Sequence, residues 1–158
     1  MKRAVALVAV CAFVVSCGGF DQKKFDAVHT AGKALQAEVQ SGGRQPGPKS
    51  RERLKEFETA IAALEGHTIG IHEADALHSY TEAADAYRTF LRFQSTDPEE
   101  GTALILLKGP NLEAATRFKL PIDTRSGAKY VNRGQAITIL LQAGEQHVSD
   151  GNRIAGIP

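Results

Sequence analysis

IHEADALHSYTEAADAYRTFLRFQ, residues 71–94, is the stretch whose reading decides the fold. Ala74, Leu77, Tyr80, Ala84, Tyr87 and Leu91 recur at spacings of three and four, the period of one face of an α-helix. Ala76, Ala83 and Phe90 add a second stripe seven residues apart, which widens the apolar arc to near half the circumference. An arc that wide predicts a helix touching neighbours on two sides, the central element of the fold. At 1.5 Å per residue it would be about 36 Å long.

On the N-terminal side, Ser50 can cap a helix over residues 50–65, with Leu54, Phe57, Ile61 and Leu64 spaced 3-4-3 and Gly66 placed to end it. Before that, Phe25, Val28, Leu35 and Val39, with Gly32 in the gap, line one stripe of a helix over residues 21–40. Ser41-Gly42-Gly43 stops this helix, and Pro46 and Pro48 mark the following stretch as loop.

On the C-terminal side, Thr96-Asp97-Pro98-Glu99-Glu100 offers a side-chain acceptor, a first-turn proline and acids at a positive helix end. It predicts a helix running to Lys108. Residues 103–107 by themselves also fit a buried strand, because periodicity does not separate the two for short apolar runs. Gly109-Pro110 ends the segment, Asn111 can cap a short helix to Phe118, and residues 121–127 read as loop. A last helix is expected over residues 128–149, with Tyr130, Ile137, Leu140, Leu141, Gly144 and Val148 on its apolar side. Residues 150–158 lack a pattern and are expected to fray.

The expected fold is therefore all-α: an antiparallel helical bundle of about four main helices in residues 21–149, with residues 97–118 as a short elaboration. Ala76-Leu77, Tyr80, Ala83-Ala84 and Ala86-Tyr87 faintly resemble the first helix of a tetratricopeptide repeat. The small residues and closing proline of a second repeat helix are missing, so that resemblance is set aside.

The N-terminus carries an address. Lys2 and Arg3 precede an apolar run from Ala4 to Val15, a positive n-region followed by an h-region. The run is shorter than the roughly 20 residues that span a bilayer. Val14-Val15-Ser16-Cys17 resembles the lipobox of bacterial lipoproteins, which implies that residues 1–16 are removed and that Cys17 becomes the acylated N-terminus. Diacylglycerol and N-acyl chains on Cys17 are what that family carries. Gly18 follows, where an aspartate would resemble an inner-membrane retention signal, so an outer-membrane location facing the periplasm is expected if the source has two membranes. Residues 17–20 then form a short tether.

Cleavage would leave 17 basic and 18 acidic residues, a balance without the clustered positive charge that nucleic acid or anionic lipid requires. No nucleic-acid partner is expected, and the lipid must supply membrane affinity. Cys11 would leave with the signal and Cys17 would be consumed by acylation, so no disulfide or thiolate chemistry remains.

Asp75, His78, Glu82 and Asp85 rise along one side of the 71–94 helix at intervals of 3, 4 and 3, a set that could hold a divalent cation with help from a second helix. The simpler reading is a solvated face opposite the apolar one. His72-Glu73 opens like a zinc-protease His-Glu-x-x-His helix, but position 76 is Ala, and His72 and His78 fall on different faces. A bis-histidine haem site between His29 and His147 is conceivable, although no Cys-x-x-Cys-His is present and the single methionine is Met1. Neither Gly-x-Ser-x-Gly, a Walker loop nor Gly-x-Gly-x-x-Gly occurs, and no enzyme is expected. Two functions remain: a membrane-tethered module that binds an envelope protein, or a bundle whose interior holds a small ligand, metal or haem.

Overall fold

The computed structural model describes residues 21–41, 46–67 and 69–158. Residues 1–20, and with them the signal, Cys17 and its tether, lie outside the described residues, as do Gly42 and Gly43 of the expected helix stop. The chain is mostly helical, as expected, but it also contains a small sheet. A 3-10 turn, Gln22–Phe25, leads into α1 (Asp26–Ser41), followed by α2 (Ser50–Glu65) and α3 (Ile71–Gln94). Then come β1 (Leu104–Leu106), α4 (Pro110–Arg117), β2 (Ile122–Arg125), β3 (Ala128–Asn132) and α5 (Arg133–Ile154).

The apolar stripes explain the helical packing. Leu77, Tyr80, Ala84, Tyr87 and Leu91 are buried on one side of α3, and Ala76, Ala83 and Phe90 on the other. The most extensive packing is between α3 and α5, with α1 on α2 and α2 on α3 completing the layers. Contacts between helices give their directions. Tyr80 lies against Gly151 and Tyr87 against Gly144, so α5 runs opposite to α3. Arg51, in the first turn of α2, donates to Ser95 Oγ just past the end of α3 at 2.9 Å, so α2 also opposes α3. Lys24, just before α1, reaches Glu73 near the start of α3 at 3.2 Å. The interior is filled by Tyr80, Tyr87, Phe25, Phe57, Phe90 and Phe93.

The sheet corrects the all-α expectation. Its order is β1-β3-β2, all neighbours antiparallel, with Ile105 opposite Val131 and Ile122 opposite Val131 from the other side. Burial across 104–107 alternates, Ile105 and Leu107 being buried while Leu104 and Leu106 are partly exposed, which is strand rather than helix period. The expected cap at 96–100 forms a turn instead. Thr102 N–H and Oγ1–H both donate to Glu99 O, and Glu99 N–H donates to Leu104 O at 2.8 Å. With the turn closed that way and Gly101 at φ +70°, the ladder to β3 satisfies the backbone of residues 104–106.

Residues 121–130 are also corrected, from loop and helix start to a hairpin. Arg125 pairs with Ala128 across the two-residue loop Ser126-Gly127, whose φ values of +50° and +82° are both positive. That is the twist-matched turn of a two-residue hairpin, and Ser-Gly is a weaker form of the Asn-Gly signal. Tyr130 therefore sits in β3 rather than on α5. The last helix starts instead at Arg133, where the Asn132 side chain accepts from Gln135 N–H at 3.1 Å.

The expected frayed tail is a packed helix end. α5 continues to Ile154, Gly151 and Ala155 are buried, and Ile157 N–H closes back on Asn152 O at 2.9 Å.

Candidate functional site

The outward side of α3 carries the residues singled out for metal binding, and arginines claim half of them. Asp75 and His78 are exposed on the N-terminal half of α3. Glu82 accepts from Arg117 Nη2 at 2.6 Å, and Asp85 receives Arg117 Nη1 at 2.7 Å together with Arg88 Nη1. Arg88 turns its other nitrogens to Glu58 on α2, with Nη2 to Oε1 at 2.7 Å. Glu58, Arg88, Asp85, Arg117 and Glu82 thus form one chain of ion pairs stitching α2, α3 and α4 together. Arg117 also stands 5.5 Å from the ring centroid of Phe118. The carboxylate lone pairs a cation would need are directed at guanidinium groups. Among the described residues no group of three or more His, Cys, Asp or Glu is placed to hold a metal.

Of the two histidines of the haem reading, His29 takes another partner. His29 Nδ1 donates to Asn152 Oδ1 at 3.0 Å, and Tyr80 Oη donates to the same oxygen at 2.7 Å. This triad ties α1, α3 and the end of α5 together, and burial pushes the Tyr80 hydroxyl well above its ordinary pKa. His147 lies near Asp150, whose carboxyl is held low by Gln146 and Arg153 hydrogen bonds and, more weakly, by His147.

Two ends of the molecule differ in kind. At the start of α3, the Glu73 carboxylate is buried and accepts from Gly70 N–H at 2.8 Å and Asp21 N–H at 3.3 Å, with Lys24 Nζ at 3.2 Å. Glu73 reaches back to the N-cap amide as in a capping box, although Gly70 has no side chain to reciprocate. The Gly70 hydrogen bond is the main reason its pKa lies below the usual carboxylate range, with Lys24 and Asp21 adding to it. Glu73 thus clasps the first described residue of the chain.

The opposite end is concave and cationic. A solvent-open hollow of about 440 Å³ lies between the start of α2 and the end of α3, floored by the largely buried Leu54 and Leu91 with Arg51, Arg88, Arg92 and Ser95 around it. A second, of about 420 Å³, lies between α3 and α4 and shares Arg88 and Arg92 with the first. Arg51 and Arg92 form no ion pair among the described residues, and Arg92 Nε is buried without a hydrogen-bond partner. Arg92 Nη2 meanwhile donates to Pro110 O at 3.1 Å, at the first residue of α4.

Sequence reasoning found the carboxylate stripe but not this hollow. Its arginines come from two helices and acquire meaning only once α2 and α3 are antiparallel. Comparison with known proteins finds no family model, no curated protein and no solved structure that matches the chain.

Proposed function

We propose that this chain is a bacterial lipoprotein held to a membrane through acyl chains on Cys17, and that its folded body is a non-enzymatic interaction or assembly module of the cell envelope. The observation that carries the reading is the polarity of the fold. Asp21, four residues after Cys17, is clasped by Glu73 at the start of α3, whereas the arginine-lined hollows and α4 lie along its C-terminal half and the end of β3 meets its last residue through Arg133 and Gln94. The 24 residues of α3 separate these ends by about 36 Å. A protein anchored at Cys17 would present the hollows away from the lipid, toward an envelope protein partner. Acyl chains suit this geometry, since each buried methylene contributes about 0.8 kcal/mol and two or three chains anchor stably. No described helix is long and apolar enough to cross a membrane. In a source with two membranes, the outer membrane facing the periplasm is the proposed location.

Cys17→Ser tests the anchor and should move the protein to the soluble fraction; retention in carbonate-washed membranes at wild-type levels would refute it. Photo-crosslinkers at Thr96 and Glu113 should capture envelope proteins, while one at His67 should capture lipid or nothing. Protein adducts from His67 alone would reverse the orientation, and adducts from none of the three would remove the case for a partner.

A further inference from the structure

We propose that Ile71 is the membrane-contacting foot of the protein, seated at the boundary between lipid head groups and acyl chains. The inference rests on the anchoring reading and adds to it a second point of contact, made by the folded domain itself.

Among the described residues Ile71 is 83% exposed, whereas the next most exposed large apolar residue, Ile122, is 38% exposed. It is the first residue of α3. Neighbouring Ile69 packs partly against the core, so Ile71 is turned away from an apolar surface that its neighbour reaches. A lone exposed apolar side chain is ordinary on a protein surface. Its position is what singles this one out. Gly70 and Asp21 both donate to the carboxylate of Glu73, at 2.8 and 3.3 Å, which fixes the start of the described chain beside the turn that carries Ile71. Only four residue steps separate Asp21 from Cys17, a reach of at most about 14 Å. Acyl chains on Cys17 would therefore enter the bilayer close to Ile71, and a lipid surface is the occupant this geometry selects. Lys23, Lys24, His67 and His72 lie at this end with Asp21, Asp26 and Glu65, so the charge is mixed and the apolar contact, not attraction to anionic lipid, must hold the foot in place.

The test uses the full-length protein, expressed with its signal and reconstituted as purified mature lipoprotein into vesicles of phosphatidylethanolamine and phosphatidylglycerol. An environment-sensitive thiol dye is attached at Ile71→Cys and, for comparison, at Glu100→Cys. The parent protein without an added cysteine serves as a third sample. Flotation of the vesicles with protein, and no dye uptake by the parent, report acylation of Cys17 independently of the foot. The expected result is a blue-shifted emission at position 71, quenched by spin-labelled lipid severalfold more than at position 100. Floating protein whose two labels behave alike would overturn the foot and leave the anchor standing. A parent that takes up dye and does not float would refute the anchoring reading, and the foot with it.

Discussion

Gly151 is pressed against the ring of Tyr80 so closely that a β-carbon there would stand 2.8 Å from Tyr80 Cε1. Seven residues earlier, Gly144 holds the same relation to Tyr87, with 2.8 Å to Cζ. The two tyrosines are themselves seven residues apart on α3, so α3 and α5 mesh as two rings over two gaps, large against small. Tyr80 cannot swing aside freely, because its hydroxyl is bonded to Asn152 and its ring packs between Phe25 and Phe57 at centroid distances of 6.1 and 6.2 Å.

Gly151→Ala is expected to destabilise the protein despite the better helix propensity of alanine. Propensity favours the substitution by about 0.5–1 kcal/mol, whereas overpacking a filled core costs about 1–3 kcal/mol, so the net change should be a loss of up to about 2.5 kcal/mol. Urea unfolding midpoints measure it. Adding Tyr80→Leu should recover part of the loss by opening the space; an unchanged or raised midpoint for Gly151→Ala alone would show that the ring yields.

The hairpin turn offers the opposite sign. Ser126 holds φ +50° without the tolerance of asparagine for that region, so Ser126→Asn should raise stability by up to about 1 kcal/mol. Gly127→Ala, at φ +82°, should lower it by about 1–2 kcal/mol. Thermal unfolding of the two variants beside the wild type would reveal opposite shifts; shifts of the same sign would mean the turn does not limit stability.

These elements show why the helices were legible and the sheet was not. Each long helix carries its own 3-4 stripe, so local sequence names it. β1 is three residues of a continuous apolar run, and its partner β3 begins more than twenty residues later, so nothing local separates strand from helix. The signal that could have done so was Ser126-Gly127 followed by Asn132 and Gln135, a turn and then a cap, which leaves β3 no room to be helix. Residues 150–158 carry no apolar stripe of their own and so read as a fraying tail, whereas Gly151 is a packing gap for Tyr80. At the site, Glu82 and Asp85 were visible as one face, but Arg117 comes from α4 and no spacing rule connects it to them.

Acid should weaken the protein in part through Glu73. Its folded pKa is depressed, so it stabilises the fold above its unfolded pKa, and the contribution is lost as pH falls through the folded value. Glu73→Gln should therefore cost about 1 kcal/mol near neutrality, the usual scale for losing a helix cap. The gap between variant and wild type should narrow from about pH 5 downward as carboxylates protonate. Lys24→Met should reproduce only a fraction of this, since the Gly70 amide is the largest cause of the depression. Denaturant midpoints at a series of pH values would detect a gap that stays constant, the result that would separate Glu73 from the acid limb.

The ion-pair chain on α3 yields the sharpest test of what the carboxylate stripe is for. Arg117 and Arg88 are half exposed, so each pair alone should contribute only about 0.2–1 kcal/mol, but Asp85 is shared between them and the contributions should couple. A double-mutant cycle of Asp85→Ala with Arg117→Ala is expected to show a coupling of about 0.5–1 kcal/mol that shrinks in 1 M salt, where the screening length falls to about 3 Å. The same arginines should also govern metal affinity. With Glu82 and Asp85 occupied, the wild-type protein is expected to take up zinc weakly in calorimetry, and Arg117→Ala should bind it more tightly by returning carboxylate oxygens to a face that still carries Asp75 and His78. If the wild type instead retained stoichiometric zinc through dialysis and lost it on His78→Ala, the stripe would be a metal site in its own right. The guanidinium contacts would then describe only its empty form.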